Sequence, residues 1–281
     1  MIKKLSIIFL FLLLIAPAAF AEEMNDFSPA VTTQEEDLPL SPPRKASKFD
    51  LGVETHLLFD KDLQPPDGAN IDTLKVKRSN QFYVVPAYNV YKNENTKVDV
   101  FANLGEASMD AVRNNKTTLT EETITYDHGF LWAIGARVKQ KLWNNFNGHA
   151  NLKYKEFEAD IDEYTFNGVK VNNLAGDTKG RLSEFEAAFL ISTTISPEDQ
   201  ETIYKPYAGP AFIWTNYSQG ALSYSAFGAA RTSSAADADE ESSFALIVGV
   251  DILKFSDALR INAEAMFFAE TALTLSVHYN F

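Results

Sequence analysis

Side chains able to do nucleophilic, acid–base or metal chemistry are few and scattered along this chain. There are four histidines, His56, His128, His149 and His278, and no cysteine. Thiolate metal sites, disulfides and a lipid-modified cysteine are therefore excluded. A histidine metal site needs ligands that converge on one point. On the strand map derived below, His56 and His128 lie toward one end and His149 and His278 toward the other, so no metal is expected. Asp127-His128 is the one adjacent acid–imidazole pair, but neighbouring residues on a strand point to opposite faces, and no second acidic pair faces it. The run Asp237-Ala-Asp-Glu-Glu241 offers oxygen ligands for calcium but lacks the spacing and the turn glycine of a binding loop. No cofactor, no metal and no catalytic set are expected, and the chain is read as a non-enzyme.

Another set of charges is better ordered. Arg137, Lys139, Lys141, Lys153 and Lys155 alternate along two segments, and Glu184 and Glu186 alternate along a third. If those segments are neighbouring strands, cations and anions form facing columns. Such columns read either as a paired structural ladder or as the lining of a narrow pore.

Whole-chain properties set the frame for these residues. Lys3 and Lys4 precede an apolar run from Leu5 to Ile15, and Ala19-Phe20-Ala21 supplies a small-x-small cleavage pattern, so residues 1–21 read as an export signal. Its apolar core is shorter than the ~20 residues a spanning helix needs. Removing it takes away two lysines and no acid, which moves the net charge from −13 to −15. So acidic a chain argues against a nucleic-acid partner. Residues 22–47 combine acids with Pro29, Pro39, Pro42 and Pro43, a composition that reads as a disordered arm on the periplasmic side.

From Lys48 to Phe281 the hydrophobic pattern has period two. In the closing stretch, Leu273, Leu275, Val277, Tyr279 and Phe281 alternate with Thr274, Ser276, His278 and Asn280. Similar segments begin near Phe49, Gln81, Lys97, Phe130, Gly148, Ser183, Ile203, Phe244 and Leu259. The fifth is the weakest, because Glu156-Phe157-Glu158 breaks the alternation. Short connections near Lys92–Thr96, Trp143–Asn147, Pro197–Glu201 and Lys254–Asp257 alternate with long polar stretches near Asp60–Asn80, Ala107–Gly129, Ile161–Leu182 and Thr215–Ser243. The last connection, Ala269–Thr271, is short. Short turns on one side and long loops on the other, with an even strand number, describe a closed antiparallel transmembrane β-barrel. Ten strands are expected, with eight or twelve as alternatives, in one domain over 48–281. Both termini would face the periplasm. Aromatic girdles are expected from Trp143, Phe146, Phe255, Tyr279 and Phe281 at one rim and from Phe59, Trp214, Tyr217 and Phe267 at the other. Gly52, Gly105, Gly135, Gly209 and Gly249 would leave room for water or relieve crowding.

The closing stretch Phe267–Phe281, with its final aromatic, resembles the last hairpin of small Gram-negative outer-membrane β-barrel proteins. The resemblance implies that Val277, Tyr279 and Phe281 are read by the barrel-assembly machinery. It also implies contact with outer-membrane lipid and lipopolysaccharide. It covers general architecture from Lys48 to Phe281 and names no single activity. Omptin proteases share the strand number and place Asp and His at the outer rim, whereas lipid-deacylating barrels use His-x-Ser, which this sequence lacks. The expectation is a monomeric, non-catalytic scaffold whose long loops contact an extracellular ligand. A narrow porin-like channel is the alternative, and a barrel hydrolase a distant third.

Overall fold

A computed structural model describes residues 48–65, 71–116, 118–143, 145–196, 202–233, 235–240, 243–254 and 258–281. The export signal and the arm expected over 1–47 lie outside the described residues, as do Phe255 and Glu241.

The strands are β1 Phe49–Gln64, β2 Ile71–Lys92, β3 Thr96–Asn115, β4 Glu121–Trp143, β5 Phe146–Phe166, β6 Val169–Lys170, β7 Asn172–Gly176, β8 Lys179–Thr193, β9 Thr202–Gln219, β10 Leu222–Ala226, β11 Ala229–Ser233, β12 Ala236–Glu240, β13 Phe244–Lys254, β14 Leu259–Phe268 and β15 Thr271–Asn280. Ten of them pair antiparallel in the circuit β1-β2-β3-β4-β5-β8-β9-β13-β14-β15, and β15 returns to β1 with Val53 opposite Val277. The sheet is thus a closed ten-stranded antiparallel barrel, and closure pairs the backbone of every wall strand on both sides. Its first and last strands meet at one end, here called the near end, where the rings of Phe49 and Phe281 lie 6.0 Å apart.

Toward the near end the barrel is apolar outside and polar inside. Val53, Val84, Leu104, Ile134, Ile191, Phe212, Val248 and Leu275 are exposed on the outer wall. Such a continuous apolar band is what a membrane's hydrocarbon layer covers. Inward glycines make room for inward rings on the next strand: a Cβ on Gly52 would meet the His278 ring, and one on Gly249 would meet Tyr207. These glycines serve packing, the second of the two roles expected of them.

The far half inverts this arrangement. Stretches expected as long loops are continuations of the strands: β1 and β2 extend to Gln64 and from Ile71, β3 and β4 to Asn115 and from Glu121. Their register shifts explain why the sequence concealed this. In β4 the even-numbered residues Ile124, Tyr126, Phe130, Trp132 and Ile134 are apolar on both sides of an irregularity. Below the irregularity at Asp127–Gly129, Phe130, Trp132 and Ile134 face outward; above it, Ile124 and Tyr126 face inward. A bulge moves the side chains that follow to the other face. Leu74 and Val76 in β2, Leu63 in β1, and Tyr164 and Phe166 in β5 turn inward in the same way. The result is an apolar core inside the far half, built from Leu74, Met109, Ile124, Tyr126, Phe157 and Tyr217 among others. Tyr217 therefore belongs to this core and not to the outer girdle. Glu156 and Glu158 flank inward Phe157 without interrupting β5.

The barrel also changes strand number along its axis. The β14–β15 hairpin ends at Phe268–Thr271, well below the tips of the other strands. Above it β12, expected as a solvated acidic loop, pairs with β9 on one side and with β1 on the other. The far tier is consequently closed by eight strands, with β12 standing where three stand below. A small sheet of β7, β10 and β11 lies over this tier, and its Leu222, Tyr224 and Ala226 join the apolar core.

Within that core Tyr217 donates to Gln219 Oε1 at 3.2 Å, so Tyr126 donates to Tyr217 across 2.5 Å. Burial pushes the Tyr217 hydroxyl up to about 12 and raises Tyr126 well above its ordinary value. Tyrosines with raised folded values stabilise the fold in full below the unfolded value of ~10 and lose that contribution as pH rises through the folded value. An alkaline titration at 295 nm should therefore show a late tyrosine step near pH 12, accompanied by loss of near-ultraviolet dichroism. Smooth ionisation of all tyrosines around pH 10, with the dichroism retained, would contradict this core.

Candidate functional site

The near half of the barrel holds a chamber of about 320 Å³, lined by side chains from all ten wall strands. Side-chain exposure falls from 37% at Lys97 through 22% at Asp50 and 15% at Lys153 to 5% at Glu186, so the chamber opens at the near end and deepens inward. Around its mouth stand Lys97, Arg137, Lys139, Lys205 and Arg260, with Asp50, Asp99 and Asp251 between them. Arg137 is placed at this level by its register opposite Asp99, and its guanidinium lies over the Phe101 ring at 5.4 Å. His278 Nδ1 is 3.0 Å from Asp50 Oδ1, and His149 Nε2 is 2.7 Å from Ser192 Oγ. Deeper, Glu54 accepts from Tyr83 at 2.6 Å and Glu264 accepts from Tyr207 at 2.8 Å.

The columns read from the sequence occupy this wall. In the β5–β8 register Lys153 faces Glu186 and Lys155 faces Glu184, with ion pairs of 2.8 and 2.9 Å. Arg137 and Lys139 line the chamber, while Lys141 is exposed near the rim beside the β4–β5 turn. Val277, Tyr279 and Phe281 are exposed on the outer wall at the near end.

The inner end of the chamber is closed by a charged group that combines Glu184 and His56, expected on strands, with Lys61 and Glu270, expected in connections. Lys61 Nζ lies 2.8 Å from Glu184 and 2.9 Å from Glu270, and His56 Nε2 lies 3.6 Å from Glu270 Oε1. All of these side chains are buried. Two lysines, 61 and 155, match two glutamates, 184 and 270, so the group is neutral with His56 uncharged, which is the condition for keeping such charges out of water. Glu270 comes from the short β14–β15 turn and Lys61 from just beyond the β1 bulge. The signal that could have placed Lys61 is Phe59-x-x-x-Leu63, apolar residues on either side of a polar interruption. Beyond this layer the interior is mainly apolar, with a buried Arg113–Glu122 ion pair and buried Gln81 and Gln219 set among the apolar side chains.

Among the described residues no group of three or more His, Asp or Glu side chains could hold a metal ion. Asp127 and His128 sit at the β4 bulge, exposed, rather than at the strand end; His128 Nδ1 is 3.9 Å from Glu106. His56, His128, His149 and His278 do not meet.

No protein-family model matches the chain, and no curated protein does. Among solved structures, the translocator domain of the autotransporter NalP from Neisseria meningitidis covers 85% of this chain and 90% of its own, at 9% identity and TM-score 0.42. The transport unit of the autotransporter AIDA-I from Escherichia coli covers 86% and 93%, at 12% identity and TM-score 0.39. The outer membrane protein OprG from Pseudomonas aeruginosa covers 84% and 97%, at 11% identity and TM-score 0.33. Likenesses this distant carry nothing about activity.

Deleting one member of a buried ion network strands its partner. Lys61→Met should cost about 3–5 kcal/mol in urea unfolding of the folded barrel. Adding Glu270→Gln should return roughly 1 kcal/mol or more of that, since Glu184 keeps Lys155. Additive losses in the double variant would show that Lys61 and Glu270 are not coupled. On its own geometry, then, the chain is a closed ten-stranded antiparallel barrel with an apolar outer girdle and a polar interior beneath it, the architecture of small bacterial outer-membrane β-barrels.

Proposed function

We propose that this protein is a non-catalytic outer-membrane scaffold whose far tier stands at the cell surface as a folded platform. One observation carries the reading: the lumen is interrupted at mid-height by the Lys61–Glu184–Glu270–Lys155 layer and then packed mainly with apolar side chains around a buried Arg113–Glu122 pair. A conducting lumen needs a continuous wet path, and packed Leu, Phe and Tyr side chains oppose one. The segments expected to work as long flexible loops are strands, so the platform presents a fixed surface to an extracellular partner. The near end faces the periplasm in this reading, supported by the tight turns gathered there. Lipopolysaccharide surrounds the outer edge of the girdle, and the assembly machinery reads Val277, Tyr279 and Phe281. The second reading, a narrow channel, draws its support from the polar chamber. That Asp127 and His128 are exposed at the β4 bulge, away from the strand end, supports a role without catalysis.

The refolded barrel should be silent in a planar bilayer once heat-modifiable migration confirms folding; steady, reproducible conductance steps would move the channel reading to first place. Because the chain has no cysteine, a single cysteine at exposed Leu119, in the β3–β4 turn, reports orientation without background. An impermeant maleimide should label it in intact cells, and protection until the envelope is broken would reverse the topology. Deleting Phe281 should cut folded protein in the outer membrane by severalfold while leaving refolding in detergent nearly unchanged. Equal losses in both would assign Phe281 to stability instead of assembly.

A further inference from the structure

The near-end chamber has an uneven distribution of hydrogen-bonding groups along its depth. At the mouth cations outnumber carboxylates: Lys97, Arg137, Lys139, Lys205 and Arg260 stand against Asp50, Asp99 and Asp251, and there both the buried Nε of Arg260 and the buried Oδ1 of Asn280 are unmet. Deeper, acceptors are in surplus. Glu54, Glu186 and Glu264 surround a single cation, Lys153, which is paired with Glu186. Asn103, only 3% exposed, lines the same depth with an Oδ1 that meets no donor, and the buried Oδ1 of Asn151 is also unmet. Buried polar atoms without partners are uncommon and call for an occupant. The surplus of opposite kinds at the two depths indicates what sort of occupant.

We propose that the chamber binds an extended zwitterion, ammonium inward and carboxylate at the mouth, of the size of a diamino acid or a short peptide. An ammonium offers three donors and no acceptor, which matches Glu264, Glu54 and Asn103 Oδ1. A carboxylate offers acceptors only, which matches Lys205 and Arg260. The two levels differ by two to four residues along a strand, roughly 7–13 Å at about 3.3 Å per residue. A bare metal ion does not fit, because no group of three carboxylate or imidazole ligands among the described residues converges. Between the two levels Phe101 and Tyr207 line the chamber and would flank the aliphatic part of such a molecule. This site is independent of the scaffold reading, since it requires only a chamber open at the near end.

The test compares three probes by calorimetry on the refolded barrel in micelles: 6-aminohexanoate, cadaverine, which lacks the carboxylate, and adipate, which lacks the ammonium. The zwitterion should bind at least about tenfold more tightly than either of the others. Glu264→Gln should weaken 6-aminohexanoate and cadaverine and leave adipate unchanged. Lys205→Met should weaken 6-aminohexanoate and adipate and leave cadaverine unchanged. Each variant is first checked for heat-modifiable migration, and the comparison on the wild-type protein decides the matter even where a variant does not fold. No measurable binding, equal affinity for all three probes, or equal loss for all three in either folded variant would overturn the proposal.

Discussion

The ammonium of Lys61, held between Glu184 and Glu270, is the contact on which the two halves of this molecule meet. It joins β1, β8 and the β14–β15 turn at the height where the barrel passes from ten strands to eight. A hairpin that stops short leaves a gap in the wall, and a gap in a sheet leaves unpaired backbone groups. Here β12 covers the gap from above, and Glu270 reaches inward below it to a cation on the neighbouring strand. The charges are tolerable because they balance and because each has a partner within hydrogen-bonding distance; remove one and the others become the problem.

Above and below that layer the same strands satisfy opposite solvents. Below, side chains that point out are apolar and those that point in are polar, which suits hydrocarbon outside and a wet chamber within. Above, the far tier is an ordinary water-exposed barrel with an apolar core. Bulges in β1, β2, β4 and β5 carry one apolar stripe from the outer face to the inner one. A two-residue period cannot make this change without an irregularity, so the bulges are the elements that let a single chain be a membrane barrel and a soluble barrel in succession.

This stacking shapes what the protein can do. The charged layer and the mainly apolar far core stand above the near-end chamber, which opens at the near end, and this stacking is what favours the proposed scaffold over a channel. In the proposed scaffold reading, strands instead of loops at the far end would present a preformed surface, with little ordering cost on binding.

The alternation of Leu273, Leu275, Val277 and Tyr279, repeated about ten times, was enough to specify a closed antiparallel barrel and which residues face outward in its near half. It also placed Lys153 and Lys155 across from Glu184 and Glu186, because adjacent strands with alternating charge leave few other arrangements. The far tier was a different matter. Its outward residues are polar, as in Glu121-x-Thr123-x-Thr125, and its strands begin at polar breaks such as Asp60 and Asp127-His128-Gly129, so sequence pattern alone read them as loops. Whether such a break is a loop or a bulge depends on whether the next strand continues beside it, a fact about pairing partners far away in the chain. The partnership of Lys61 with Glu270, 209 residues apart, is likewise fixed only when the barrel closes and a short turn finds itself beside the first strand.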